Sequence, residues 1–201
     1  RERLSRWDCR YDPDSREATL FHRLYIQVMV EWLGTETGIG WRRMLYLCTR
    51  VGYSMMIVHT ADRMLLDRGQ SLWKREDLAE AIRRAAEKVQ QQQQGDVPWS
   101  AVNGFHFADR FFGGQHVGRL FGSDSRRYPM PGNHATPFQG HVLQTATREQ
   151  TFAPSYHFVT DLGTDEAATN LPGGPSESLF SKWYKNDIGR WFSGEYKPLR
   201  P

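Results

Sequence analysis

The chain has 201 residues, of which 39% are hydrophobic and 13% aromatic, including seven Trp. This content of large apolar side chains excludes a disordered chain and is enough for one large domain or two small ones. Lys and Arg number 26 and Asp and Glu 23, a net charge of +3, and the two signs are interleaved. We therefore interpret the short basic runs as solvated surface and predict no nucleic-acid partner.

The sequence predicts a soluble chain with no membrane span. A membrane helix needs roughly 18 consecutive apolar residues, and the longest candidate, 51–66, is interrupted by His59, Asp62 and Arg63. The two cysteines, Cys9 and Cys48, lie in different segments and show no metal-ligand spacing. We interpret them as buried thiols that form no disulfide, although a pairing between them stays open.

Three helices are predicted in the first part of the chain. The first covers residues 17–33, is capped by Asp14 or Ser15, and ends at the glycines that begin with Gly34. The second, about 41–66, is apolar on more than one face and should be well buried. The third, about 75–93, has one apolar stripe and runs into a glutamine tract that we interpret as a frayed end or exposed loop.

From Val97 onward, helical periodicity gives way to Gly, Pro, Asn and Ser. Strands are predicted at 156–162 and 167–171, with weaker candidates at 136–139 and 142–145, and a short helix at about 181–193 that ends at Gly194. Helices first and strands later predict an α+β fold, with a helical segment at 1–96 and a strand-rich segment at 97–201.

No catalytic, cofactor-binding or metal-ligating residue can be assigned from the sequence. The seven histidines show no metalloprotease spacing, and His106 in a strand would point away from the rings of Phe105 and Phe107. The segment 174–178 lacks the closing Gly of a nucleophile elbow, and 112–115 fits no phosphate loop. The histidines are His22, His59, His106, His116, His134, His141 and His157.

The order of motifs in the chain nevertheless resembles a known family. Segments 154–163, 170–176, 180–187 and 191–199 are similar to four motifs at the end of the β subunit in the penicillin acylase family of N-terminal-nucleophile hydrolases. These are a GPSYR-x-V-x-DL strand, an LPGGQSG turn, an SPHY-x-DQ helix start and a terminal W-x-x-GEY-x-PL. Upstream, 130–136 resembles the family's PGD-x-x-TV element, and 6–12 with 15–20 resembles its L-x-x-WDGRMD-x-x-S-x-AATL entry.

Three positions depart from the family pattern. Residues 175–177 replace its Gln-Ser-Gly, His157 replaces the usual Arg, and Cys9 replaces a common Gly. None of them is a catalytic position in the family, so they put loop geometry in doubt and leave the fold expectation intact.

The resemblance implies the C-terminal portion of an αββα sandwich, in which strands 156–162 and 167–171 complete the β layers beside strands of partner chains. In the family, an N-terminal Ser, less often Cys or Thr, attacks the amide, its own α-amino group acts as base, and an Asn side chain with backbone N–H groups holds the oxyanion. All of these elements precede the Trp-Asp-x-Arg motif, and Arg1 is not a nucleophile, so the list of catalytic, cofactor and metal residues in this chain is empty.

Further expectations follow from the resemblance. Calcium is possible in the assembled enzyme, with its ligands upstream of this chain, and no cofactor is expected in the chain itself. The partners are the α subunit and the N-terminal part of the β subunit, and the location is periplasmic or extracellular. The Arg-Glu-Arg start suggests proteolytic cleavage or a deliberately chosen segment.

Three functions remain open from the sequence. The first is a C-terminal fragment or subunit of an amide hydrolase that acts on acyl amides such as β-lactam side chains, acyl-homoserine lactones or lipopeptides. The second is a structural or accessory subunit that keeps the acylase-like fold without turnover. The third is an independent binding module.

Overall fold

A computed structural model of the chain describes residues 2–50, 54–66, 75–92, 96–107, 116–122, 124–133, 136, 138, 149–150, 154 and 156–199. The helices are α1 (Glu2–Ser5), α2 (Arg16–Glu36), α3 (Trp41–Arg50), α4 (Ser54–Leu66), α5 (Arg75–Gln91), α6 (Trp99–Val102), α7 (His116–Leu120) and α8 (Ile188–Ser193). The strands are β1 (Gly104–Phe105), β2 (Tyr128–Pro129), β3 (Glu149–Gln150), β4 (His157–Asp161), β5 (Glu166–Asn170) and β6 (Lys197–Leu199). Helices α1 to α6 precede all of the strands, α7 and α8 lie between strands, and the long strands pair antiparallel, which is an α+β arrangement.

The chain divides into two units. One consists of Arg1–Gly104 with Pro131–Thr151, and the other of Phe105–Met130 with Phe152–Pro201. The first unit contains α1 to α6, and the second contains α7, α8 and the sheet formed by β4, β5 and β6.

Helix α2 begins where the sequence predicts, because Ser15 caps it. The Ser15 Oγ accepts a hydrogen bond from the Ala18 N–H at 3.1 Å, which satisfies one of the free donors of the first turn. Gly34 does not end the helix as expected, since α2 continues to Glu36. A Cβ at Gly34 would lie 3.0 Å from the Trp41 nitrogen. This glycine therefore lets the start of α3 approach α2 closely, and the chain reverses only at Gly38 and Gly40, which have positive φ.

The core of the first unit lies between α2 and the helices packed on it. The predicted helix over 41–66 consists of α3 and α4, and residues 51–53 lie outside the described residues. The predicted third helix is confirmed as α5. Of the stripe that periodicity predicts, Leu78, Ile82, Ala85 and Val89, the last two are buried, whereas Ile82 is 45% exposed and Ala81 is buried in its place. The buried cluster is formed by Met29, Val30, Trp32, Leu33, Met44, Cys48, Ala61 and Ala81.

The two stronger strand predictions are confirmed as β4 and β5, which form an antiparallel hairpin with Asp161 opposite Glu166 and His157 opposite Asn170. The Asp161 carboxylate accepts from the Gly163 N–H at 2.8 Å, a side-chain turn contact that starts the four-residue connection. Strand β6 pairs with β5 and was not predicted, because it has only three residues and Pro198 at its centre. Proline is tolerated there because β6 is an edge strand, which can leave an N–H position unused.

The predicted helix over 181–193 is shorter in the structure. Only 188–193 are helical, and turns occupy 181–187. The N–H of Asp187 donates to the Gly173 carbonyl at 2.8 Å and not to the carbonyl four residues earlier. The helix therefore starts after Asp187 and ends at Gly194, whose φ of 73° gives it a left-handed cap.

Other expectations have mixed outcomes. The candidate strand 142–145 lies outside the described residues, and in 136–139 the two described residues, Thr136 and Phe138, are bends. Cys48 is buried as expected, whereas Cys9 is exposed, and no disulfide joins them. Within the described ranges, none of the helices has the length and apolarity needed to cross a bilayer.

Candidate functional site

The most distinctive surface of the second unit belongs to the β4–β5–β6 sheet. Strand β4 is an edge of this sheet, since the strand order is β4-β5-β6. Every β4 residue after His157 is exposed, although alternate side chains of a strand point to opposite faces. Strand β4 therefore has solvent-exposed apolar side chains on each of its two faces. We call the exposed apolar residues of this sheet the β4 surface, and they are Tyr156 (53% exposed), Phe158 (48%), Val159 (54%) and Leu199 (46%).

The aromatic part of the β4 surface is ordered by its own stacking. The rings of Tyr156 and Phe158, two residues apart on one face of the strand, stack with centroids 5.8 Å apart and an interplanar angle of 18°. Phe158 lies opposite Thr169 of β5, and Ala167 of β5 lies opposite Leu199 of β6. Residues opposite each other in antiparallel strands share a face, so Leu199 extends this apolar face across the sheet.

The opposite face of β4 is fixed to α8 through His157. Its ring stacks on the fully buried Trp191 with centroids 5.4 Å apart and an interplanar angle of 12°. Burial lowers the pKa of His157, and a hydrogen bond with Asn170 acts in the opposite direction. A neutral imidazole therefore fits this position. The corresponding motif of the penicillin acylase family has an Arg here.

A buried charge pair joins α8 to β6. The carboxylate of Asp187, which is fully buried, binds the ammonium of Lys197 and accepts from the Asn186 side-chain amide at 3.2 Å. Because a buried carboxylate needs a partner charge, this contact fixes where β6 starts. No sequence pattern predicts this pair, since Asp187 and Lys197 lie ten positions apart in the chain and belong to no motif of paired groups.

The Leu-Pro-Gly-Gly turn packs directly on the segment before α8. A Cβ at Gly174 would lie 1.8 Å from the Trp183 carbonyl oxygen and 2.6 Å from the Asn186 Oδ1. Only glycine permits so close an approach of backbone to backbone. The second glycine of the motif is thus a packing requirement of the second unit.

In the first unit, the structure brings together two motifs that lie far apart in the sequence. The Gly132 N–H donates to the Tyr11 carbonyl at 2.9 Å, and the Gly132 carbonyl accepts from the Trp99 indole at 2.9 Å and the Asn103 amide at 3.3 Å. Gly132 has a φ of 79°, and its hypothetical Cβ would lie 1.9 Å from the Phe138 carbonyl. Three hydrogen bonds therefore hold the Pro-Gly-Asn turn in place. The positive φ and the close approach of Phe138 require glycine at this position, so the glycine has a structural role.

The described histidines do not converge. His22 is buried on α2 against Trp99, with centroids 5.4 Å apart, while His59, His106 and His116 are exposed. The rings of Phe105 and Phe107 contact each other at 4.6 Å with His106 exposed between them, as predicted. His134 and His141 lie outside the described residues.

Within the described residues there is no group of three His, Cys, Asp or Glu side chains that could hold a metal ion. Calcium in an assembled enzyme stays a prediction. The expectation that this chain contributes no catalytic residue likewise stays a prediction.

The comparisons with known proteins agree with the order of motifs. The sequence model of one family, described as penicillin amidase, matches residues 1–200. No match was found among curated proteins. A match of this length covers both units and all of the motifs discussed above, and the chain therefore belongs to the penicillin amidase family.

Proposed function

We propose that this chain is the C-terminal part of an acylase-like amide hydrolase whose nucleophile belongs to another polypeptide. In this proposal, β4 and β5 complete an αββα sandwich of the N-terminal-nucleophile type. The reaction class is hydrolysis of an acyl amide to a carboxylic acid and an amine. This chain supplies framework, and the reactive hydroxyl or thiol, its amine base and the oxyanion donors come from the partner.

The observation that carries the proposal is the state of β4. Its outer edge is unpaired in the described part of the chain, and its apolar side chains are exposed on both faces. An open apolar edge of this kind is a liability for an isolated protein, whereas in a sandwich one face would be covered by a second sheet and the edge by another strand. The β4 surface thus has the shape expected of an unfinished sheet.

The first test identifies the partner. The chain should be purified from its native source, and everything that co-purifies should be analysed by intact mass and N-terminal sequencing. We expect a polypeptide that begins with Ser, Cys or Thr, and replacement of that residue by Ala should abolish hydrolysis of acyl amides by the assembly. A partner that begins with a residue unable to act as nucleophile would contradict the proposal and favour an accessory subunit without turnover.

The second test asks whether the β4 surface is the point of assembly. Phe158→Glu should prevent co-purification of the partner, since it places a charge where the proposal places another protein. Ile82→Glu is the matched control, because Ile82 is 45% exposed and apolar but lies on α5. Equal retention of the partner by both variants would place the interface elsewhere.

The proposal includes the compartment that is usual for such enzymes, the periplasm or the exterior of the cell. Its basis is the family resemblance alone. Fractionation of cells that express the full gene tests it, with the chain expected outside the cytoplasm.

A further inference from the structure

We propose that a groove on the outer side of α3 binds a carboxylate that carries a hydrocarbon tail, such as a medium-chain fatty acid. The groove has a volume of about 450 Å³ and is lined by Ile39, Arg42, Arg43, Tyr46 and Leu47. We call it the α3 groove. Its volume lies in the range of small-molecule sites, about 300–1,000 Å³, and nothing in the proposed catalytic role uses it.

The position of the groove follows from the way α3 packs. Met44 and Cys48, four residues apart, are buried in the core of the first unit, so the opposite side of the helix faces outward. That side presents the exposed residues Arg42, Arg43 and Tyr46. The half-buried Ile39 and Leu47 provide apolar surface beside them, which suits an alkyl chain.

The charge at the groove favours an anion. Within the described residues, neither Arg42 nor Arg43 is paired with a carboxylate, and the first turn of α3 has no acidic residue. The guanidinium of Arg42 lies over the Trp41 ring at 5.3 Å, and the Lys88 ammonium lies over the same ring at 5.1 Å. The free N–H groups at the start of the helix add positive potential. Arg42 and Arg43 both line the groove, and a guanidinium group can bind a carboxylate through paired N–H donors.

Binding requires both the carboxylate and the hydrocarbon tail of the ligand. A short acid such as acetate reaches the arginines but leaves the apolar wall in water, and an alkanol covers the wall but gives the guanidinium groups no charge. Octanoate supplies both features and stays dissolved as a monomer. The inference does not rest on the proposed amide hydrolysis, because the groove would bind the acid without changing it.

The test is isothermal titration of the purified assembly that contains this chain, at pH 7.5, with sodium octanoate. We expect saturable binding, and binding of acetate and 1-octanol at least about tenfold weaker. The Arg42→Gln/Arg43→Gln variant should lose one octanoate site per chain. Both arginines are exposed, so this variant should keep the melting temperature of the parent. Arg126→Gln/Arg127→Gln, which removes the same charge from an exposed pair in the second unit, should bind octanoate normally.

Three results would overturn the inference. Octanoate binding with unchanged stoichiometry and affinity in the Arg42/Arg43 variant would place the ligand elsewhere. An equal loss of octanoate binding in the Arg126/Arg127 control would show that binding depends only on the net charge of the protein. Arginine-dependent binding to phosphatidylglycerol vesicles without binding of monomeric octanoate would assign α3 to an anionic bilayer.

Discussion

Cys9 shows how a single residue can carry a conformation that its side chain does not favour. Its φ angle is 62°, in the left-handed region, within the turn where the Arg10 N–H donates to the Asp8 carboxylate at 3.0 Å. The penicillin acylase motif has a glycine at this position, and glycine adopts positive φ without steric cost. A side chain there costs roughly 1–2 kcal/mol.

Replacement of Cys9 by Gly should therefore stabilise the protein. We expect the free energy of unfolding to rise by about 0.5–1 kcal/mol, because relief of the left-handed strain exceeds the added entropy of the unfolded chain. Thermal unfolding of the purified assembly measures it. Cys9→Ala removes the thiol and keeps the strain, so equal stability of the Ala and Gly variants would contradict this explanation.

The two adjacent glycines of the Leu-Pro-Gly-Gly turn should respond differently to substitution. Gly174→Ala places a methyl group 1.8 Å from the Trp183 carbonyl and should destabilise the fold by more than about 2 kcal/mol. Gly173→Ala is the matched control, because its nearest atom, the Tyr184 carbonyl oxygen, would lie 3.5 Å away. Chemical denaturation of both variants tests this, and equal losses would mean that the turn does not pack on 183–186 as described.

His157 should make stability depend on pH in the mildly acidic range. Burial lowers its pKa below the ordinary value of 6.5 in the folded state, so the unfolded chain binds a proton first as the pH falls. Stability is then lost progressively below about pH 6.5 and is unaffected above it. His157→Phe keeps a ring on Trp191 and cannot titrate. The difference in melting temperature between pH 7.5 and 5.5 should shrink in this variant, and an unchanged difference would assign the effect to other groups.

At the scale of elements, α2 and α5 are joined by a charged cluster around one buried carboxylate. Glu31 of α2, whose side chain is 7% exposed, binds Lys88 of α5, and the Arg84 Nε lies 3.5 Å from its second oxygen. Gln27 donates to the same carboxylate at 2.8 Å. Loss of a partner from a buried charge is costly because the remaining charge is left poorly solvated.

Lys88→Met should therefore destabilise the protein by about 1–3 kcal/mol, since it leaves Glu31 buried with weaker partners. Arg83→Met on the same helix removes the exposed pairs with Glu80 and Glu87 and should leave the free energy of unfolding nearly unchanged, because solvent screens exposed ion pairs. Urea unfolding of the two variants distinguishes the sites. A loss for Arg83 as large as that for Lys88 would show that burial of Glu31 is unimportant.

For the whole molecule, the β4 surface predicts dependence on a partner. The isolated chain should aggregate or behave as a loose, partly folded state, because a hairpin edge with exposed apolar faces is marginal on its own. Size-exclusion chromatography, thermal unfolding and dye binding to exposed apolar surface measure this. A monomeric chain with a cooperative melt would contradict it, and so would an isolated chain that hydrolyses an amide at an enzymatic rate.

The sequence alone determined the local elements whose signals are local. Ser15 at the start of α2, the stripe of α5, the β-rich segments of β4 and β5 and the glycine after α8 each act within a few residues, so period and capping predict them. The order of motifs was likewise enough to indicate the family.

Contacts between distant residues were decided only by the tertiary structure. The bond from Asp187 to the Gly173 carbonyl shortens α8, pairing with β5 makes Lys197–Leu199 a strand, and the close approach of Trp41 keeps Gly34 inside α2. The hydrogen bonds that join Gly132 to Tyr11 and Trp99 are also contacts between residues distant in the sequence. Such contacts depend on three-dimensional proximity, which neither periodicity nor residue propensity encodes.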